Sequence, residues 1–473
     1  MIFSFSLKGL EPASVRIGRA LVAAAGVATL ALALYRIPVW LDAWSGSAVV
    51  VAITSAVAAL VLAVGIAVRG SGRAVERAAT EISFLGCALV AAEAILLLRA
   101  PEKWSDDPLV QQLIVHEHAA RAEGIAYDGR LPAEVVGDLQ AQGLDAVPGF
   151  ASTMMRNAAV ATAIRERGLL PLSNVANAVV VECNEGPGYF QFRSDEFGFN
   201  NPPGLAAGPV DVAVIGESLA LGHCVAPSTS AVDLVRARFP RTANFGIAGS
   251  RVLSQLGVFR EYVEPLEPKV VVWFVNVNFA EPRYESERPR LMRYLDDASF
   301  SQGLRRRQHD VDTFIREVAV PMSLRRDYAL REELEAPSPF PFDRVITLAE
   351  VRRVVDSQSA IRRPPALPDL SQFERAVDRV TETTGRWGGG VVAVILPSYE
   401  LSVGQPSYVA RYNAVAEVLR ASSATVVDGV ALFAAEPDAL GLYTLRMDNH
   451  PNERGHALLA EALIHAIDSK EKS

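Results

Sequence analysis

The chain is 473 residues long, half hydrophobic in composition and acidic, with a formal net charge of −8. That length has room for more than one domain, and the acidic balance with no basic stripe excludes nucleic acid as a partner. The mean hydropathy of +0.19 is high for a wholly water-exposed chain, and the excess lies in the first hundred residues.

Three apolar runs stand there, over residues 20–35 (continued past Arg36 to 41), 48–68 and 82–98. The second carries no charge and is long enough to cross a bilayer, whereas the third is interrupted by Glu93. Buried core helices are the alternative reading. Three runs with charged flanks favour a membrane region over residues 1–100 with three transmembrane helices. Lys8, Arg16 and Arg19 precede the first run, and Arg69, Arg73 and Arg77 separate the second from the third. Basic segments stay in the cytoplasm, so everything beyond about residue 100 is expected outside it. No cleavage site of small residues precedes a mature domain, so the first run is not read as a signal peptide. Glu93 and Cys87 are read as helix-packing residues, not as a proton relay or a reactive thiol.

Residues 101–207 read as a small α+β module. Helices are expected over 109–123 and 132–144, extended segments over 169–172 and 175–181, and a strand over 189–193, followed by the turn-rich stretch 194–204. Cys183 and Cys224 both fall in the part expected outside the cytoplasm, where a disulfide persists. Spacing does not decide between a bridge and two separate thiols. No Cys/His spacing resembles a zinc site, and no metal or cofactor is expected.

From about residue 208 short β-branched runs alternate with helical stretches. The runs are 212–215, 242–245, 270–275, 391–396 and 424–427, with helices expected over 231–239, 252–262 and 409–421. Apolar strands alternating with helices predict an α/β domain, 208–473, with a parallel sheet covered on both faces. Ligands in such sheets bind beyond the carboxyl ends of the strands. A charge-rich helical insertion at about 280–390 interrupts the alternation and reads either as a lid or binding element or as scaffold.

The residues suited to chemistry fall just after strand ends. Ser218 follows the first run and opens a helix, where a nucleophile gains from backbone N–H groups and the positive dipole end; a plain N-cap is its other reading. Gly246 and Gly249 follow the second run, with Asn244 bracing the turn. Asn278 follows the third, with Asn276 as a competitor for the same role. Near the C-terminus Asp448 and His450 stand two residues apart, a spacing that can set a carboxylate against one imidazole nitrogen. His456, the rival histidine, is expected to pack locally on the last helix.

In these residues the chain resembles the SGNH/GDSL hydrolase superfamily, from about residue 208 to the C-terminus. Gly216-Glu217-Ser218 stands for the usual Gly-Asp-Ser block, Gly249 for the second-block glycine, and Asn276-Val277-Asn278-Phe279 for the third block without its leading Gly and trailing Asp. Asp448 and His450 form a shortened version of the last block, as in membrane-associated bacterial members related to polysaccharide O-acetylation proteins. The resemblance favours Asn278 over Asn276. It implies a flavodoxin-like three-layer αβα parallel sheet without metal. It further implies a catalytic Ser218, His450 and Asp448, and an oxyanion hole formed by Ser218, Gly249 and Asn278. The expected function is a serine esterase anchored in the bacterial inner membrane by several spans, its catalytic domain extracytoplasmic, acting on an acylated glycan or lipid. An O-acetyltransferase, which would need a membrane acyltransferase partner, and a non-catalytic glycan-binding or assembly protein are the alternatives.

Overall fold

The computed structural model describes residues 108–335 and 368–470 except 186, 187, 286, 448 and 449, together with 92, 93, 95, 96 and 351. The three apolar runs therefore lie outside the described residues, apart from four positions of the third. Among the described residues no helix is long and apolar enough to cross a membrane. Residues 101–338 and 357–473 form one compact unit, and 1–100 with 339–356 form another. In the latter, Glu93 accepts the Val351 N–H at 2.8 Å.

The larger unit opens with helices α1 (Pro108–Ala122) and α2 (Pro132–Ala141), strand β1 (Ala146–Pro148) and helix α3 (Ala158–Arg167). Strands β2 (Val179–Val181) and β3 (Gln191–Arg193) follow, and β2 pairs parallel with β1 and antiparallel with β3. Strand β1 had no signature in the sequence, because three residues are too few to show an alternation.

The main sheet is built of β4 (Val212–Gly216), β5 (Thr242–Gly246), β6 (Val270–Val275), β7 (Gly390–Ile395) and β8 (Thr425–Asp428). All four pairings are parallel and the order is β5-β4-β6-β7-β8. Counted within this sheet the order is 2-1-3-4-5, that of flavodoxin. The chain runs from β4 to one side for β5 and then crosses to the other for β6. The end of β4 is thus the switch point where a crevice opens.

The period-2 geometry of a strand sends its apolar residues to two cores. One face carries Ala213, Ile215, Phe245, Trp273 and Ile395. It packs against Leu253 and Leu256 of the helix Val252–Val258, Phe373 and Val377 of Ser371–Arg386, and Leu419 of Pro406–Ala421. The other carries Val212, Val214, Val272, Phe274 and Val394, against Val232 and Val235 of Ala231–Arg238 and Leu459 and Leu463 of Glu453–Lys470. This is the expected three-layer arrangement. Each of the large apolar side chains among these contributes about 1.5–3 kcal/mol by leaving water, which is why the runs without alternation became the buried strands β4 to β7, whereas β8 at the sheet edge is only partly covered.

Within the 280–390 stretch, the described segments take part in the first core. Leu291 and Tyr294 lie on the helix Pro289–Asp296, and Phe314 ends the helix Gln308–Phe314. Ser371–Arg386 is the crossover helix that a parallel β6–β7 connection requires. The N-terminal segment shares this core too: the Phe199 ring stands edge-on to Phe245 at 5.1 Å and to Tyr262 at 4.8 Å.

Candidate active site

Ser218 begins a one-turn helix, Ser218–Leu221, at the end of β4 and is buried. The turn is tight because two glycines let the backbone close in. A Cβ on Gly246 would lie 2.4 Å from the Leu221 nitrogen, and one on Gly216 would lie 2.7 Å from the Phe274 Cβ. The Gly216 carbonyl accepts the Ile247 N–H at 3.1 Å and the Ser250 hydroxyl at 2.9 Å, which locks the ends of β4 and β5 together. Asn244 braces this turn as expected. Its amide donates to the Ala220 carbonyl at 2.7 Å and its Oδ1 accepts the Gly246 N–H at 2.8 Å. Glu217, in the place usual for Asp, is the N-cap: its Oε2 accepts the Ser218 N–H at 2.7 Å and also the Ser218 hydroxyl. Ser218 is therefore not the N-cap; the residue before it fills that role.

The Ser218 hydroxyl stands 2.7 Å from Nε2 of His450, 232 residues further along the chain. His450 sits in the loop before the last helix. That loop is pinned where the His450 carbonyl accepts the Thr444 N–H at 3.0 Å and where Asn452 Nδ2 donates to the Gly441 carbonyl at 2.9 Å. The other ring nitrogen, Nδ1, lies 2.6 Å from Oε2 of Glu185, whose side chain is 8% exposed. Asp448 lies outside the described residues. Glu185 escaped the sequence analysis because it is 265 positions from His450 and belongs to no local pattern.

Glu185 is placed by the segment that continues β2. Cys183 is bonded to Cys224 in a disulfide with a Cα–Cα distance of 6.0 Å, and Cys224 belongs to the loop just after the Ser218 helix. His223, next to Cys224, sets its ring 5.1 Å from that of His450 and its Nε2 3.4 Å from Glu182 Oε2. Donor atoms of Glu185, His223, Cys224 and His450 lie within 4.8 Å of one another. With the Cys224 sulfur engaged in the disulfide there is no thiolate among them, and two of the four groups line up on Ser218.

Gly249 follows β5 with φ +66, a left-handed conformation that favours glycine, and Thr153 backs it. The contact is continued by the Ser152 N–H, which donates to the Ala248 carbonyl at 3.1 Å. Asn276 and Asn278 separate in role here, because Asn276 Oδ1 accepts the Asn278 N–H at 3.0 Å and so braces it. The Asn278 carbonyl accepts from Arg251 at 2.6 Å. Glu285, fully buried, accepts the N–H groups of Arg251, Leu253 and Ser254 at the start of the helix Val252–Val258. Burial pushes its carboxyl up to about 7, although the donors favour the charged form. This carboxylate ties the exit of β6 to the exit of β5. Because β4 lies between β5 and β6, the loops bearing Gly249 and Asn278 flank Ser218 on either side.

His456 is wholly buried on the helix Glu453–Lys470, and its Nδ1 accepts the Ala231 N–H at 2.9 Å. Burial, with a smaller effect from the neighbouring His450, pushes its pKa down to about 3. It caps a helix, in keeping with the packing role expected of it.

No protein-family model matches the chain, and no curated protein matches it. Solved structures similar to it include the lipase/acylhydrolase from Enterococcus faecalis, at 13% identity and a TM-score of 0.31 over 55% of this chain and 97% of that one. A member of the lipolytic protein G-D-S-L family from Veillonella parvula matches at 11% and 0.30, over 54% and 97%. A catalytic mutant of an acetylxylan esterase from Geobacillus stearothermophilus matches at 14% and 0.28, over 54% and 93%. Likenesses this slight carry no functional argument for the chain; the geometry above does.

Proposed function

We propose that this protein is a serine ester hydrolase that works through an acyl-serine intermediate. The observation that carries the reading is the hydrogen bond of 2.7 Å between the Ser218 hydroxyl and His450 Nε2, formed at the switch point of the sheet. His450 takes the Ser218 proton as the oxygen attacks the ester carbonyl. The same proton passes to the departing alcohol, and the acyl-enzyme is then cleaved by water activated at the same imidazole. The Ser218 and Gly249 N–H groups and the Asn278 amide serve as oxyanion donors. As substrate enters, the Glu217 carboxylate must release both the Ser218 N–H, for the oxyanion, and the Ser218 hydroxyl, whose one proton then points to His450 Nε2. The substrate, on this reading, is an acyl ester, and more narrowly an acetyl ester, of a glycan or lipid of the cell envelope. The apolar runs before residue 100 anchor the catalytic domain on the outer side of the cytoplasmic membrane. A sugar hydroxyl replacing water at the acyl-enzyme would give an O-acetyltransferase with the same residues.

Hydrolysis of p-nitrophenyl acetate by the full chain tests the reading. Ser218→Ala is expected to lose turnover by a factor on the order of 10³ or more and to lose labelling by a serine-reactive phosphonate. A Ser218→Ala protein as active as the parent sinks it.

A further inference from the structure

Among the described residues, a carboxylate that meets His450, that of Glu185, comes from outside the α/β sheet, and the disulfide beside it joins its segment to the nucleophile's. We propose that Glu185 is the positioning residue that orients the His450 base, and that the Cys183–Cys224 bond is what holds it there. The inference rests on the serine-hydrolase reading and deepens it.

Glu185 Oε2, the His450 ring and the Ser218 hydroxyl form a continuous chain of contacts of 2.6 and 2.7 Å. A carboxylate so placed at Nδ1 fixes the tautomer that leaves Nε2 free to accept a proton, and it favours the imidazolium formed during attack. Glu185 is nearly buried, so its charge acts on the ring with little screening by water.

The two residues before it, Cys183 and Asn184, are held by hydrogen bonds to their own segment. The Phe190 N–H donates to the Cys183 carbonyl at 2.8 Å, the Tyr127 hydroxyl donates to the Asn184 carbonyl at 3.3 Å, and the Asn184 amide donates to the Asp128 carbonyl. All of these partners belong to the N-terminal segment. The covalent link to the loop of the nucleophile is the disulfide, two residues from Glu185 on one side and six from Ser218 on the other. Once it is cut, the ties between the Glu185 segment and the Ser218 side are non-covalent, among them the Glu182–His223 contact at 3.4 Å, the edge-on packing of the Phe190 and His223 rings at 6.0 Å and the His450 contact itself. A dithiol supplies the two electrons: the sulfur–sulfur bond breaks, two protein thiols form, and the dithiol closes to its own disulfide.

Among the described residues, the titratable groups facing His450 include Glu185 at Nδ1, the His223 ring with Glu182 behind it, Glu217 across Ser218, and the buried His456. A carboxylate beside an imidazole favours its protonated form. Removing that charge therefore moves the acid limb of the kcat/KM profile to lower pH, a change that a merely structural role would not produce.

The test compares Glu185→Gln, Asp448→Asn and the parent on p-nitrophenyl acetate, with kcat, KM and the pH profile measured for each. Glu185→Gln is expected to lower kcat by a factor on the order of 10²–10⁴ with KM changed only a few-fold, and to shift the acid limb down. Asp448→Asn is expected to cost less. Dithiothreitol is expected to lower the activity of the parent at least tenfold, with recovery on reoxidation, and to leave a Cys183→Ser/Cys224→Ser protein unaffected at its already reduced level. The proposal is overturned if Glu185→Gln keeps kcat within threefold and keeps the acid limb in place, or if Asp448→Asn carries the loss instead. A parent protein that neither turns over nor takes the phosphonate label overturns the hydrolase reading itself, which is a different outcome.

Discussion

Gly246→Ala puts the placement of the nucleophile to a quantitative test. The added methyl would stand 2.4 Å from the Leu221 nitrogen and 2.8 Å from the Ala220 carbonyl carbon, where ordinary contact begins at 3.4 Å. The obstacle is backbone, so it cannot swing aside as the end of a side chain would. The Ser218–Leu221 turn has to retreat by about 1 Å, and Ser218 goes with it. A misplacement of that size costs about 10²-fold in rate, near 2.7 kcal/mol of barrier. Overpacking lowers stability by roughly 1–3 kcal/mol more. Steady-state kinetics on p-nitrophenyl acetate below the melting range of the variant separate the two effects: kcat falls about 100-fold while the far-UV spectrum is kept. Gly385→Ala on the helix Ser371–Arg386 is the control, since a Cβ there would meet no atom within 4 Å; it leaves kcat unchanged. A folded Gly246→Ala protein within threefold of the parent kcat refutes the claim that the close approach of the two backbones sets the position of Ser218.

Two further predictions concern stability. The native pKa of His456, about 3, lies below its ordinary 6.5, so the native state binds fewer protons than the unfolded chain between those values. Its contribution is complete above pH 6.5 and is lost as the pH falls towards 3; urea unfolding at pH 7, 5.5 and 4.5 checks this, and the His456 ring resonances are expected not to titrate between pH 5 and 8. Replacing Cys183 and Cys224 together by Ser removes a cross-link across 41 residues, worth at most about 4 kcal/mol by loop-closure entropy, and urea unfolding of the oxidised parent against the double variant measures it.

The sheet was legible because its strands are continuous apolar runs with turn residues at their ends. The runs at 212–215, 242–245, 270–275, 391–396 and 424–427 became β4 to β8 with ends moved by a residue or so. Ser218 and His450 were legible for a related reason. A polar residue just past a buried strand, or a histidine in a loop before an amphipathic helix, stands out from its neighbours. The strand order, the crossover role of Ser371–Arg386 and the meeting of Ser218 with His450 could be expected only through a family resemblance, since no local pattern records them.

What the sequence by itself determined is the local part: which segments bury both faces, where turns must close, and which side chains have the chemistry for acyl transfer. Tertiary structure alone brought Glu185 to His450. Glu185 reaches the ring from the bend after β2, 265 residues away and two residues from a disulfide whose pairing the spacing left open. Periodicity is a property of neighbours along the chain, whereas a hydrogen bond of 2.6 Å depends on how separate segments pack, and that information is spread over the whole core.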